Sequence, residues 1–406
     1  MRKLLGATVA LLGVLAASAC TGGSRWQAPG ETADPPKVEV TAPVDGATDV
    51  PAAVELTYTV AGTQDVTITL ADAAGTAVAG ALRADRSSWV PEAALQYATS
   101  YTATVTARKS DGSSAEAKST FTTMAQPANL VDVHSFIGDN QTVGVAMPII
   151  IDFGLEVPAE HRPEIEKRLF VTSDPPQPGA WNWYLTENSE REILHYRPKD
   201  YWQTGTKISV RIATGGLWWG IKDWYGRHDL NIHFNIGKAN IMEVDNATKI
   251  MTVTQDGQVV KQIPVSLGKP STPSSSGTML VISKEAARNL RDDSFGYDVP
   301  VQFAMRLTWG GEFVHAAPWS VGSQGKRNVS HGCVNISTEN AGWLFDQTQI
   351  GDPVTVKGTE VDLAWGNGWT DWDVPWEEYL KGSTLPNGGI VAPPPTAQPT
   401  ASPSGS

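Results

Sequence analysis

Cysteine is nearly missing from this chain: its 406 residues hold only Cys20 and Cys333. Two cysteines cannot build the disulfide framework of a small secreted scaffold. Basic charge is also short, with 31 Lys and Arg against 43 Asp and Glu and a formal net charge of −12. That balance excludes the clustered basic face a nucleic-acid partner would need, and the pair Lys326 and Arg327 stands alone in a loop of small polar residues. Long apolar runs are lacking too. The one from Leu4 to Ala19 is too short for a comfortable membrane span. Helical periodicity is scarce throughout. What remains is the composition of a globular protein, 41% hydrophobic and 18% charged, on a chain too long for one core.

Arg2 and Lys3 followed by the Leu/Ala/Val run read as an export signal. It ends Ala17-Ser18-Ala19-Cys20, which resembles a bacterial lipobox whose cysteine is acylated and becomes the mature N-terminus. The plainer reading is an Ala-x-Ala cleavage site with an incidental cysteine. Either way the protein is expected outside the cytoplasm, and with the lipid it sits on the outer face of the cell membrane. Cys333 is then a lone exported thiol, either a reactive group or an inert buried one.

After a tether over residues 21–36, short runs alternate with period two: Val54, Leu56, Tyr58 and Val60, then Val66, Ile68 and Leu70, then Tyr101, Ala103, Val105 and Ala107. With turn pairs such as Asp45-Gly46 and Asp111-Gly112, they predict an immunoglobulin-like sandwich over residues 37–125. A second sandwich is expected over 126–238, with a short helix at Pro163–Arg168. It contains Trp181, Trp183, Tyr184, Trp202, Trp218, Trp219 and Trp224, read as core and packing rather than as a carbohydrate platform. A third, mainly β unit covers 239–358, with a hairpin turning at Asp256-Gly257 and a helix capped at Ser337. A Trp-dense segment, 359–381, is expected to pack back on this third unit, and a Pro/Ser tail over 382–406 to be disordered.

Chemistry concentrates in Phe313-Val314-His315-Ala316-Ala317-Pro318-Trp319-Ser320 and Asn328-Val329-Ser330-His331-Gly332-Cys333-Val334-Asn335. A thiol attacks as thiolate and needs a base or cation nearby. His315 and His331 are the only histidines in this unit, and spacing alone does not choose between them. Gly332 lets the backbone come close to a substrate, where N–H groups can hold an oxyanion. Either histidine alone would ordinarily be a satisfied loop residue. Two of them with the only internal cysteine within about twenty residues make that reading poor.

His315 together with Ser-His-Gly-Cys-x-Asn at 330–335 resembles the signature of the L,D-transpeptidases. The layout of anchor, two Ig-like units and catalytic unit resembles the mycobacterial members. The resemblance implies a catalytic β-sandwich of open-barrel kind, Cys333 as nucleophile, and His315 as base and acid oriented by the carbonyl of Ala316. It implies an oxyanion hole from the amides of His331, Gly332 and Cys333. It implies that Tyr297, Trp309, Gly310 and Gly311 lie in the substrate-covering flap and donor-binding wall, and that Ser330 and Asn335 of the motif also help bind substrate. The implied partners are tetrapeptide stems of peptidoglycan as donor and acceptor, with carbapenem-type β-lactams as inhibitors. The implied reaction is a 3-3 cross-link through a thioester, with no cofactor. Gly215–Gly226, where some members bind a metal, is Trp and Gly here, so no metal is expected. Two alternatives stay open: the same thioester taken by water, an L,D-carboxypeptidase, or a non-catalytic wall-binding lipoprotein.

Overall fold

The computed structural model describes residues 37–61, 65–83, 86–185, 192–292 and 297–389; the expected leader, Cys20 and the tether lie outside them, as do residues 390–406. Two four-stranded sheets make the first unit. One runs Lys37–Ala42, Leu56–Ala61, Ser88–Pro91, Gly80–Leu82, and the other is built on Asp65–Asp72 and Ser100–Arg108. Along Ser100–Arg108 the residues Tyr101, Ala103, Val105 and Ala107 are buried while their neighbours are not, so the period-two pattern does point one face inward.

The second unit again stacks two four-stranded sheets, one centred on Ile149–Asp152 and Glu192–Pro198, the other on Leu230–Ile236 and Lys207–Ile212. Its core is aromatic. Trp181, Trp183, Trp202 and Trp219 are buried, and Phe153 stacks on Trp183 and meets Trp219 edge-on, both at 5.5 Å. These four tryptophans are core, as the packing reading expected, whereas Trp218 is exposed and Trp224 half-buried outside it. The short helix forms at Arg162–Glu166.

The third unit pairs a six-stranded sheet with a four-stranded one. The larger sheet orders Gln258–Pro264, Ile250–Gln255, Asn240–Asp245, Pro353–Lys357, Ser275–Leu280 and Val361–Asp362. Asp256 and Gly257 turn its first hairpin with φ of 45° and 82°, the doubly left-handed turn expected of this pair. The smaller sheet orders Ser283–Asp292, Tyr297–Arg306, Phe313–Ala316 and Val334–Ile336. Ser337 caps the helix Thr338–Gln347 by accepting from the Asn340 amide at 3.2 Å, and Ala341 and Leu344 turn into the core.

The Trp-dense segment departs from expectation. It starts on the third unit, where the Leu363 amide donates to Ser276 at 2.7 Å, but then packs mainly on the second. Trp369 joins the second unit's core and meets Phe136 at 4.6 Å. Trp372 donates to the Ala146 carbonyl, and the Arg197 guanidinium lies 4.4, 5.1 and 4.2 Å from the rings of Trp372, Trp376 and Tyr379. The reason is a buried charge: Arg197 needs aromatic faces and carbonyls around it, and the returning segment supplies both. The tail also leaves later than expected. Ser383 and Thr384 hydrogen-bond Glu166, which keeps the chain on the fold to Gly389.

Candidate active site

The smaller sheet of the third unit has two unlike faces. Val314, Ala316, Val334 and Ile336 point into the main core of that unit with Met305 and Leu344. Alternation then turns Phe313, His315, Cys333 and Asn335 to the other side. Phe313–Ala316 and Val334–Ile336 run parallel with His315 opposite Asn335. Cys333, two residues earlier, is the diagonal neighbour of His315, with α-carbons roughly 8 Å apart from ordinary strand spacing and rise.

His315 is 3% exposed, and its Nδ1 lies 2.9 Å from the Ala316 carbonyl oxygen. A carbonyl can only accept, so Nδ1 carries the proton and Nε2 is left with its lone pair. Burial holds the imidazole below its ordinary value, and the Ala316 bond pulls weakly the other way. Cys333 is 6% exposed and packs among Leu290, Val301, Ala304 and Phe313. Three of those belong to the long hairpin Ser283–Asp292 with Tyr297–Arg306, which therefore roofs the thiol. Sγ lies 3.8 Å from the Gly311 carbonyl, and among the described residues no hydrogen bond joins it to His315. Burial pushes the thiol up to about 12; the Phe313 amide lowers it and Glu312 raises it. Both shifts favour neutral thiol and neutral imidazole over a preformed ion pair.

The turn that presents Cys333 is braced from inside. Ser330 Oγ donates to the Cys333 carbonyl at 2.6 Å and accepts from the Gly332 amide at 3.1 Å. Ser274 Oγ donates to the Gly332 carbonyl at 2.5 Å. Gly332 has φ of +122°, where a side chain would be strained. In this state the Gly332 amide serves Ser330, so it becomes an oxyanion donor only by exchanging that partner.

The other expected site residues divide. Gly311 borders the thiol. Gly310 donates to Asn367 at 2.7 Å, and Trp309 leans toward the core of the second unit. His331 is exposed with Nε2 2.9 Å from Lys269 Nζ, whereas His315 is buried on the sheet face of Cys333, so the choice between the histidines falls to His315. Asn335 is buried and donates to Ser320 Oγ at 3.3 Å, holding the turn after His315. Tyr297 pairs Asp292 at the hairpin tip, and its side chain lies outside the described residues. Sequence reasoning missed Leu290 and Val301 as the roof, and Glu312, whose carboxyl lies beside Gly332. The available signal for Glu312 was one acid in an otherwise apolar and glycine run, three residues before His315.

A crevice of about 1250 Å³ separates the two Ig-like units, lined by Glu55, Arg83, Phe170 and Trp181 among others, and includes none of these residues.

Two family models match this chain. Residues 47–217 match the family model of a bacterial Ig domain, and residues 239–356 that of an L,D-transpeptidase catalytic domain. L,D-transpeptidase 5 of Mycobacterium tuberculosis is 33% identical over 98% of this chain and 87% of its own length. L,D-transpeptidase 2 of the same species is 36% identical over 78% of this chain and 77% of its own. Among solved structures, an L,D-transpeptidase from Mycobacterium smegmatis is 32% identical, covering 56% of this chain and 99% of that one, with a TM-score of 0.46. With its catalytic unit carrying His315 and Cys333 on one sheet face behind two Ig-like sandwiches, the chain belongs to the L,D-transpeptidase family.

Proposed function

We propose that the chain forms 3-3 cross-links in peptidoglycan through a thioester on Cys333, with His315 as base and then acid. The observation that carries this reading is the bond from His315 Nδ1 to the Ala316 carbonyl, which leaves Nε2 basic on the face shared with Cys333. Because the resting thiol is protonated, its proton moves to Nε2 as Sγ attacks the donor carbonyl at the L-centre of diaminopimelate. The amide of Cys333 receives the oxyanion, joined by that of Gly332 once Ser330 lets go. The C–N bond to terminal D-Ala breaks, and His315 returns the proton to the leaving amine. A second stem's side-chain amine then forms a new amide at the thioester carbonyl and frees the thiol.

The leader places this activity outside the cytoplasm, with Cys20 as lipid anchor and the Ig-like units lifting the catalytic unit into the wall. Carbapenems, strained acyl donors, fit the same thiol. Intact mass of the purified chain, wild type and Cys333→Ala, after a tetrapeptide-stem disaccharide and separately after a carbapenem, tests the reading. A stem-derived acyl adduct or dimer product, and a carbapenem adduct lost in the variant, are expected. Folded wild type that stays unmodified by both would sink it; free tripeptide with no dimer would make the enzyme a carboxypeptidase.

A further inference from the structure

Glu312 stands in the tight turn before the His315 strand, and that turn is rigid. Its amide donates to Thr308 Oγ1 at 3.0 Å, and its carbonyl accepts from the Leu307 amide at 2.9 Å. The side chain runs beneath the nucleophile's turn: a Cβ added to Gly332 would lie 3.7 Å from its Cγ and 3.8 Å from Oε1. Oε1 accepts from the Ser275 amide at 2.8 Å. Oε2 is buried and has no hydrogen-bond partner among the described residues.

A glutamine would satisfy Ser275 equally well, so the brace does not account for an acid here. A buried carboxylate oxygen without a donor is costly, and next to the thiol it also opposes the thiolate. Both costs end if a cation arrives beside Cys333. The second half-reaction proposed above brings one, since the acceptor's amine is an ammonium in water and must reach the thioester carbonyl.

We propose that Glu312 is the acceptor-binding group, pairing its free oxygen with the acceptor's ammonium and so selecting amine over water at the thioester. This rests on the thioester reading of the preceding section. The ammonium gives one proton to the Glu312 carboxylate, whose buried site makes it a better base than an ordinary carboxylate. The neutral amine forms the N–C bond as the C–S bond breaks, and its second proton passes through His315 to the departing Sγ.

Partition of one acyl-enzyme tests this without regard to how fast that intermediate forms. Wild type and Glu312→Gln are acylated with a tetrapeptide-stem disaccharide and given either a diaminopimelate-containing tripeptide stem, whose side-chain amine is an ammonium at neutral pH, or hydroxylamine, which is neutral there. In Glu312→Gln the ratio of transfer to hydrolysis with the stem amine should fall roughly tenfold or more, the scale of one charge-assisted hydrogen bond. The ratio with hydroxylamine should not move. An unchanged ratio with the stem amine overturns the role of Glu312 alone, as does an equal fall with both nucleophiles, which would mark a local disturbance. Wild type that forms no acyl-enzyme at all overturns the thioester reading and this one with it.

Discussion

Two buried histidines lie in different halves of this molecule, and their partners set them apart. His195, fully buried in the second Ig-like unit, places Nδ1 3.0 Å from Asp371 of the returning C-terminal segment, and Tyr379 donates to the same carboxylate. His315 gives its Nδ1 to a carbonyl one residue away in its own strand. The first histidine joins two segments 176 residues apart. The second is held by its own backbone, which orients the ring without committing it to any distant element. Burial is common to both, so burial alone does not mark a catalytic histidine. The range of the Nδ1 partner and the neighbour on the sheet face do.

The sharpest break of this comparison is at the thiol. Cys333→Ala should abolish stem and carbapenem adducts entirely while leaving the melting temperature nearly unchanged, read by mass and by calorimetry. Next, His315→Gln should lower turnover by about 10²–10⁴-fold, the usual scale for a general base; a loss under threefold in steady-state rates would move the base elsewhere. Asp371→Ala should do the reverse of both. It removes the carboxylate that both His195 and Tyr379 bond and should cost roughly 2–5 kcal/mol in denaturant unfolding, yet keep kcat within about twofold at a temperature where the variant is folded. A kcat that fell with stability intact would tie the clasp to catalysis.

The smallest expected effect is in pH. A general base works when neutral, and burial lowers the pKa of His315 below its ordinary 6.5. Turnover should therefore rise with pH through a midpoint under 6.5, so that a profile rising only above 7 would contradict the geometry. The stability sign is separate. A depressed histidine favours folding while neutral, and its contribution is lost as pH falls from 6.5 through the folded value. His195, for comparison, should leave the kinetic profile untouched when mutated.

Much of this was legible in the sequence because short-range rules decide it. Alternation placed Tyr101 to Ala107 as a strand, Asp256-Gly257 specified its turn, and Ser337 its cap. The pairing of His315 with Cys333 followed from residue types and motif. What escaped depends on distant partners. Nothing in Trp369, Trp372 or Trp376 says which unit they cover, because an apolar ring fits any apolar face, and only the buried Arg197 and His195 decide it. Glu312 escaped because its meaning comes from the neighbouring Gly332 turn, which folding alone brings alongside. Residue types alone left His331 equivalent to His315; the motif chose His315, and in the fold His331 is exposed with Lys269, 62 residues away, beside its Nε2.

The return of the C-terminal segment also orders events in time. Trp372 reaches back 226 residues to Ala146, and Ser383 and Thr384 reach back 217 and 218 to Glu166. Everything that does chemistry lies inside the loop these contacts close. During synthesis the aromatic flank of the second sandwich stays open to water until Trp372 to Thr384 have emerged, and contacts of such sequence separation form slowly. A chain cut after Lys357 would keep His315, Glu312 and Cys333, and still be an unfinished protein.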